Sequence, residues 1–166
     1  MVTDTTKEEE RIYDILRKVK DPEIPVLTIE DLGILRGVSI DNGELIVKIT
    51  PTYNGCPAMD MIRRYVLLAL EEEGYENARV ELILSPAWTT DWISEEARQK
   101  LKDYGIAPPQ GDSRDKRSLL GLDTKLECPH CGSEDTVLVS HFGSTACKAQ
   151  YKCNECKEPF EYFKCH

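Results

Sequence analysis

Hydrophobic positions follow a helical period near the start of the chain and a strand period soon after it. A capping-box sequence, Thr6 to Glu9, precedes apolar residues at helical spacing, which predicts a first helix ending near residue 19. Residues 21–34 contain two prolines, four carboxylates and one glycine, a composition typical of an ordered loop. Strand-like runs over 34–40 and 44–50 flank an Asp-Asn-Gly turn, and because Asn and Gly tolerate positive φ, this turn predicts a hairpin.

A long apolar segment, 58–73, predicts the core helix of this part of the chain. Pro57 suits its first position, and Gly74 ends it. The run from Val80 to Leu84 predicts a third strand buried on both faces, and Ser94 predicts the N-cap of a short third helix. Helix, strand, strand, helix, strand and helix in this order predict a small helix/sheet domain of the α+β class.

A change in composition predicts a domain boundary in the second half of the chain. Residues 106–125 are rich in proline, glycine and charge and show little periodicity, which is typical of a linker. The part before this segment carries 13 basic and 21 acidic side chains, whereas the part from residue 106 onward carries 8 and 9. Six of the seven cysteines follow the segment. We therefore predict a domain over 1–105, a linker over 106–125 and a small all-β module over 126–166.

Paired cysteines dominate this last module. Cys128-x-x-Cys131 and Cys153-x-x-Cys156 are separated by 21 residues, a spacing typical of two metal knuckles that bring four thiolates to a tetrahedron. Three strand-like segments predict a zinc-ribbon layout, and a structural zinc would stabilise a module too small to fold by apolar burial alone. A single iron or an iron–sulfur cluster uses the same ligands, so the metal identity stays open. Four unliganded core thiols are the alternative, but the paired spacing seldom arises by accident.

The remaining cysteines and histidines of the module carry a weaker signal. Cys147 and Cys165 have the character of core thiols, and His130 and His141 have that of exposed imidazoles. The alternative to these structural roles is a transient metal site formed by Cys165 and His166 at the end of the sequence.

Charge and composition narrow the classes of partner. The chain has 166 residues and a net charge of −9, and because an acidic surface repels phosphate backbones and anionic lipids, we expect neither nucleic-acid nor membrane binding. The start of the chain lacks a secretory signal, and the longest apolar run, Tyr65 to Leu70, is shorter than the ~20 residues that span a bilayer. These observations predict a cytoplasmic protein with protein or small-molecule partners, and an exposed sheet edge favours a homodimer.

Cys56 lies where the second strand passes into the core helix. A thiol at a helix N-terminus experiences the partial positive charge of the helix, which favours thiolate and suits a nucleophile or a soft-metal ligand. The alternative is a small buried side chain at a tight turn. Thr50, Thr52 and Tyr53 supply hydroxyls nearby, whereas no histidine precedes residue 130, which excludes a Cys-His catalytic pair in the first domain.

Four short motifs occur in order within the first domain: Asp21-Pro22-Glu23, Leu32-Gly33, Thr50-Pro51 and Gly55-Cys56-Pro57. In this combination the domain resembles the iron–sulfur assembly factors, a family that includes bacterial SufT and the eukaryotic cytosolic targeting factors. With the cysteine-rich tail, nearly the whole chain is similar to one branch of that family, the accessory subunits of phenylacetyl-CoA epoxidase.

The resemblance implies a factor that supplies or maintains iron centres, either the diiron site of the oxygenase or the iron–sulfur cluster of its reductase. It implies that Cys56 is the functional thiol, which contacts iron or a cluster transiently, with Asp21, Glu23 and Thr50 as neighbours. Loop capping is the alternative role for the two carboxylates. The implied partners are the oxygenase and reductase subunits or other iron–sulfur assembly proteins.

Catalysis by this chain alone is not expected. The sequence lacks the two Glu-x-x-His motifs that a diiron bundle requires, and it has no glycine fingerprint for a nucleotide. Two further functions stay open. One is an integral, non-catalytic subunit of the oxygenase complex, and the other is a zinc-ribbon adaptor that binds proteins and in which Cys56 is purely structural.

Overall fold

The computed structural model describes residues 2–110 and 125–164 of the chain. The chain divides into two compact units, Met1–Trp88 and Thr89–His166. This division lies earlier than the boundary predicted after residue 105, because the third helix makes its contacts within the second unit. Across the described residues, no helix is both long enough and apolar enough to cross a membrane.

The first unit is built from two helices and a three-stranded sheet. In chain order its elements are α1 (Val2–Leu16), β1 (Leu35–Asp41), β2 (Glu44–Ile49), α2 (Ala58–Glu72) and β3 (Ala78–Leu82). The sheet has the order β1-β2-β3; β1 and β2 are antiparallel, and α2 connects the parallel strands β2 and β3. The capping box predicted at Thr6 is wrong, because α1 already begins at Val2 and no proline or glycine between these residues interrupts it.

The hairpin between β1 and β2 is confirmed at the predicted turn. Asn42 and Gly43 adopt φ of 50° and 82°, the left-handed values that a two-residue hairpin loop of this kind requires. Leu45, Val47 and Ile49 of β2 are buried, as the alternation predicts, and Ile46 on the opposite face is buried as well. The central strand β2 is therefore covered on both faces.

β3 is an edge strand, so the prediction of a strand buried on both faces is wrong. Val80 is buried, whereas Leu82 is 52% exposed and Leu84, just beyond the strand, is 64% exposed. The strand pairs with β2 on one side and contacts α2 on one face. The apolar run therefore belongs to a strand that is covered along one edge by β2 and on one face by α2.

The second unit combines one helix with a four-stranded sheet. A 3₁₀ turn at Thr90–Trp92 leads to α3 (Glu95–Tyr104), β4 (Ile106–Ala107), β5 (Thr136–Ser140), β6 (Lys148–Cys153) and β7 (Pro159–Phe163). The sheet order is β4-β7-β6-β5, and β5, β6 and β7 coincide with the three predicted ribbon segments. Ser94 caps α3 as predicted, since its Oγ accepts a hydrogen bond from the Ala97 amide at 3.1 Å.

β4 lies within the segment that composition predicts as a linker. Ile106 and Ala107 are buried and pair in parallel with β7. Residues 111–124 of that segment lie outside the described residues. A buried cluster forms the core around this sheet: Ala107, Leu126, Cys128, Ala149, Tyr151, Cys153, Phe160 and Tyr162. The two units together confirm the α+β class, a helix/sheet domain followed by a small β module.

Candidate thiol site and metal centre

A tight turn places Cys56 directly before α2. The amide of Cys56 donates to the carbonyl oxygen of Tyr53 at 3.3 Å, and Gly55 adopts φ of 79°, a value that the third residue of such a turn requires. Pro57 is the N-cap of α2 and has helical backbone angles, φ −69° and ψ −19°. The helix thus begins one residue later than predicted, and the Cys56 thiol lies beside its first amides.

The Cys56 side chain is partly buried, and its surroundings hold it as a thiol. Burial raises the pKa of Cys56, and the carboxylates of Glu23 and Asp21 raise it further, while hydrogen bonds from the Ala58 amide and the Tyr53 side chain lower it. The net direction is upward, so the thiolate predicted from the helix N-terminus is not favoured at neutral pH. Burial of the thiol and the two nearby negative charges together raise the pKa more than the helix amides lower it.

The loop before β1 carries the two carboxylates. Asp21 is buried, and its Oδ1 accepts hydrogen bonds from the amides of Glu23 and Ile24, both at 2.8 Å. Asp21 therefore has the loop-capping role, and the same carboxylate also acts electrostatically on Cys56. The structure brings Cys56, Asp21 and Glu23 into one electrostatic neighbourhood.

Thr50, the fourth residue expected at this site, follows β2 and is 1% exposed. Its amide donates to the carbonyl oxygen of Ile34 at 3.0 Å. Its hydroxyl oxygen is buried and has no hydrogen-bond partner within the part of the chain that the structure describes. A buried hydroxyl left unpaired costs roughly 1–3 kcal/mol, so Thr50 is an unsatisfied polar group inside the first unit.

Four thiols of the second unit meet at one point, as the knuckle spacing predicts. The Sγ atoms of Cys128, Cys131, Cys153 and Cys156 all lie within 4.8 Å of one another. Those of Cys128 and Cys156 are 3.8 Å apart, and those of Cys131 and Cys153 are 3.6 Å apart. A tetrahedral ion with metal–sulfur bonds of about 2.3 Å places its sulfurs about 3.8 Å apart. The thiols therefore fit one tetrahedral ion, whereas a cluster, with several iron and sulfide atoms between its ligands, needs wider spacing.

Backbone amides point at these sulfurs. Burial raises the pKa of Cys153, but the amides of Cys156 and Glu155, together with neighbouring thiols, lower it to about 7. At Cys156 the amide of Glu158 lowers the pKa, but burial and the other three thiols raise it to about 12. Without a cation the four sulfurs repel one another when ionised, and a bound metal ion is the group that relieves this repulsion.

The other cysteine and histidine side chains of the second unit lie outside this thiol set. Cys147 is 3% exposed, and its sulfur is 3.0 Å from the Thr145 hydroxyl. His130 and His141 are exposed. Residues 165–166 lie outside the described residues, so the transient metal site at the end of the sequence stays a prediction.

Sequence reasoning missed an apolar groove on the first unit. α2 buries the core face that was expected of it: Ala58, Met59, Ile62, Val66 and Leu70. Met61, Tyr65 and Leu68 are instead 42%, 40% and 52% exposed. Tyr65 and Leu68 line a groove of about 620 Å³ together with the end of α1 and the loop that follows it. The signal in the sequence is a second apolar stripe at i, i+4 and i+7 on the same helix.

Two families match separate parts of the chain. Residues 9–82 match the family described as iron-sulfur cluster assembly protein, and residues 112–164 match the PaaD zinc beta ribbon domain. The first match includes Cys56 and both loop carboxylates, and the second includes all four clustered thiols.

Two relatives and one solved structure extend these matches. An Escherichia coli K12 protein, provisionally named as one of the subunits of a 1,2-phenylacetyl-CoA epoxidase, is 47% identical over 154 residues, which cover 93% of this chain and 91% of that protein. A Porphyromonas gingivalis W83 protein named Fe-S protein maturation auxiliary factor is 39% identical over 95 residues, covering 56% of this chain and 90% of that protein. A crystal structure of a domain of unknown function, DUF59, from Bacillus anthracis matches with a TM-score of 0.56 at 26% identity, covering 61% of this chain and 97% of that chain.

Proposed function

Because the chain belongs to the PaaD family and combines an iron–sulfur cluster assembly domain with a zinc β-ribbon, we propose that it is an accessory maturation factor. It inserts or maintains iron or iron–sulfur centres in the components of a phenylacetyl-CoA epoxidase, the multicomponent oxygenase of aerobic phenylacetate degradation. Its partners are the oxygenase and reductase subunits of that complex, and it is not catalytic by itself.

This proposal rests on the observation that the Cys56 thiol and the two metal knuckles belong to different units. Cys56 lies in the first unit, between the loop carboxylates and the first amides of α2, and the four clustered thiols lie in the second unit. A partly exposed thiol at a turn can contact a metal on a second protein, whereas four thiols in one cluster are suited to retaining an ion. This separation supports a transfer role for Cys56.

The raised pKa of Cys56 suits a contact that forms and breaks. With the pKa raised, the protonated form is favoured at neutral pH, so a metal has to displace the proton in order to bind. When an iron ion or cluster reaches the site as cargo, the proton leaves to solvent and one sulfur–iron bond forms, while Asp21 and Glu23 attract the positive charge. When the cargo passes to the client, that bond breaks and the thiol regains its proton, with no change of oxidation state.

We propose zinc as the resident ion of the four-thiol site. Cys128, Cys131, Cys153 and Cys156 would hold it, and the ion would balance their charge and connect the two knuckles. The sulfur separations support a single tetrahedral ion, and the zinc β-ribbon match supports zinc over iron. All four ligands would be protein sulfurs, a donor set typical of a structural rather than a catalytic zinc.

A stable, non-catalytic subunit of the epoxidase is the second candidate function. The supporting observation is the relative that matches 93% of this chain, since its name is that of an epoxidase subunit rather than a maturation factor. In that case the chain would remain bound to the oxygenase at fixed stoichiometry and would be required for turnover after the metal centres are filled.

Metal analysis of the client proteins tests the maturation role. The epoxidase components are produced without oxygen together with the wild-type chain or with Cys56→Ser, and their iron and acid-labile sulfide are measured after purification. We expect at least about fivefold less iron with Cys56→Ser, because the loss of one metal contact typically lowers affinity by about tenfold or more. One zinc per chain is expected in both proteins, because the clustered thiols are unchanged.

Cys147→Ser is the matched control, since it removes a thiol that belongs to neither site. We expect full iron loading with this variant. Full iron and sulfide in components produced with Cys56→Ser would contradict the maturation role. If chemically reconstituted components still need this chain for turnover, the stable-subunit function is supported instead.

A further inference from the structure

The groove beside α2, which we call the α2 groove, is an apolar feature that the proposed function does not use. One wall is formed by the end of α1 and the loop that follows it, and the other by the outer face of α2. Ile15, Val19 and Pro22 supply apolar lining from the first wall, and Tyr65 and Leu68 supply it from the second. Contiguous apolar side chains in a concave surface are typical of an interaction site.

The α2 groove and the Cys56 site have one residue in common. Asp21 lines the groove and also acts electrostatically on Cys56. α2 begins at Ala58, directly after Cys56 and Pro57, and Leu68 lies about 15 Å further along the helix axis at 1.5 Å per residue. A bound helix of about ten residues would span the distance between Leu68 and the start of α2.

The outer face of α2 has the shape that a second helix requires. Met61, Tyr65 and Leu68 recur at i, i+4 and i+7, so their exposed side chains form a ridge about two turns long. Ridges of this kind pack between the side chains of a neighbouring helix. Strand addition does not suit the site, because no lining residue of the groove belongs to a described strand.

The charged residues that line the groove indicate what charge a segment bound there would carry on one flank. Lys18 and Lys20 line the first wall and are exposed, and neither forms an ion pair among residues 2–110 and 125–164. Glu72 and Glu73 line the second wall, and Arg11 pairs with Glu73 at 3.8 Å. Two lysines without a carboxylate partner, on a chain of net charge −9, favour an acidic flank on the segment that binds beside them.

We propose that the α2 groove receives an amphipathic helix of the epoxidase component to which iron is delivered, with carboxylates on the flank that faces Lys18 and Lys20. The inference rests on the proposed function, since docking of this helix brings the client's metal site to Cys56. A second copy of this chain suits the groove less well, because two chains of net charge −9 repel each other.

Photo-cross-linking identifies the occupant. The photoreactive residue p-benzoylphenylalanine replaces Leu68 in the full chain, which is then irradiated with separately purified oxygenase and reductase components. Mass spectrometry locates the cross-linked peptides. We expect cross-links to one amphipathic helix that carries Asp and Glu on one flank. Cross-links to a second copy of this chain alone, to a non-helical segment, or to neither component overturn the proposal.

Affinity measurements on the cross-linked component use matched variants. Leu68→Glu is expected to weaken binding at least about tenfold, because it places a charge at the centre of an apolar contact. Its control is Val139→Glu, since Val139 is an apolar side chain on β5 of the second unit that is 61% exposed, against 52% for Leu68. Combined Lys18→Glu and Lys20→Glu is expected to weaken binding about tenfold at low salt, with Lys7→Glu as its control. Wild-type affinity for Leu68→Glu overturns the proposal.

Cys56→Ser separates the docking inference from the maturation role. If this variant supports full iron delivery while Leu68→Glu abolishes binding, the maturation role fails and the docking site stands. If Leu68→Glu binds and delivers iron normally while Cys56→Ser does not deliver it, the docking site fails and the maturation role stands.

Discussion

The cysteines of this chain lie in two kinds of surroundings, which affect the pKa of their thiols differently. At Cys56, burial and the charges of Glu23 and Asp21 raise the pKa despite hydrogen bonds from an amide and a tyrosine. At Cys153, burial acts in the same direction, but amides and neighbouring thiols bring the pKa down to about 7. A single thiol is suited to brief contact with a metal, whereas four clustered thiols are suited to retaining one ion.

Glu23→Gln tests the electrostatic part of this balance. The substitution removes a charge that raises the pKa of Cys56, so the pKa falls and more thiolate is present at neutral pH. We expect alkylation by iodoacetamide to accelerate about two- to threefold, with the midpoint of the pH–rate profile moved to lower pH. Glu76→Gln, an exposed carboxylate that does not shift this pKa, is the control. An unchanged or slower rate for Glu23→Gln would contradict the assignment.

Among the elements, α2 has two apolar faces that differ in exposure. Ile62 and Val66 on the inner face are at most 1% exposed and stabilise the first unit by packing. Met61, Tyr65 and Leu68 on the outer face are all at least 40% exposed, so they contribute little to folding. The inner face therefore fixes α2 against the core of the first unit, and the outer face is the one that the proposed docking uses.

Ile62→Ala and Leu68→Ala separate the two faces by their effects on stability. Ile62→Ala removes buried methyl groups and leaves a cavity, so we expect the free energy of unfolding to fall by about 2–5 kcal/mol. Leu68→Ala is expected to change it by less than about 0.5 kcal/mol. Amide hydrogen exchange in β2 measures opening of the first unit in the intact chain. Similar protection in the two variants would show that the outer face also supports the fold.

At the scale of the whole molecule, the two units differ in what stabilises them. The first unit has an apolar core shared between two helices and a sheet. In the second unit the core cluster includes Cys128 and Cys153, two of the four thiols that would hold the metal ion. Loss of that ion would remove the bonds that connect the two knuckles, so we expect folding of the ribbon to be coupled to metal binding.

Metal removal is expected to affect one unit alone. After treatment with a strong zinc chelator, we expect amide hydrogen exchange to accelerate at least about tenfold in β5, β6 and β7 and to stay unchanged in β1 and β2. Cys131→Ser should reproduce this effect without a chelator, whereas Cys147→Ser should not. Equal loss of protection in both units, or in neither, would contradict separate sources of stability.

The sequence by itself determined the features that depend on residues close together in the chain. The Asn42-Gly43 hairpin, the Ser94 cap and the paired spacing around Cys128 and Cys153 are all present as predicted. Backbone preferences and capping hydrogen bonds act within a few residues, so the local sequence is sufficient to predict them. Each knuckle supplies two sulfurs at a fixed local spacing, whereas the pairing of β5 with β6 brings the two knuckles together.

Only the tertiary structure decided which apolar faces are covered and how the Cys56 thiol ionises. Helical periodicity locates the stripes of α2, but whether Leu68 is buried depends on which elements pack against it. The edge position of β3 and the place of α3 in the second unit have the same cause. The pKa of Cys56 rises through burial and through Asp21 and Glu23, which reach the thiol from a loop distant in sequence. Coulomb forces and solvent exclusion act through space, so local sequence cannot specify them.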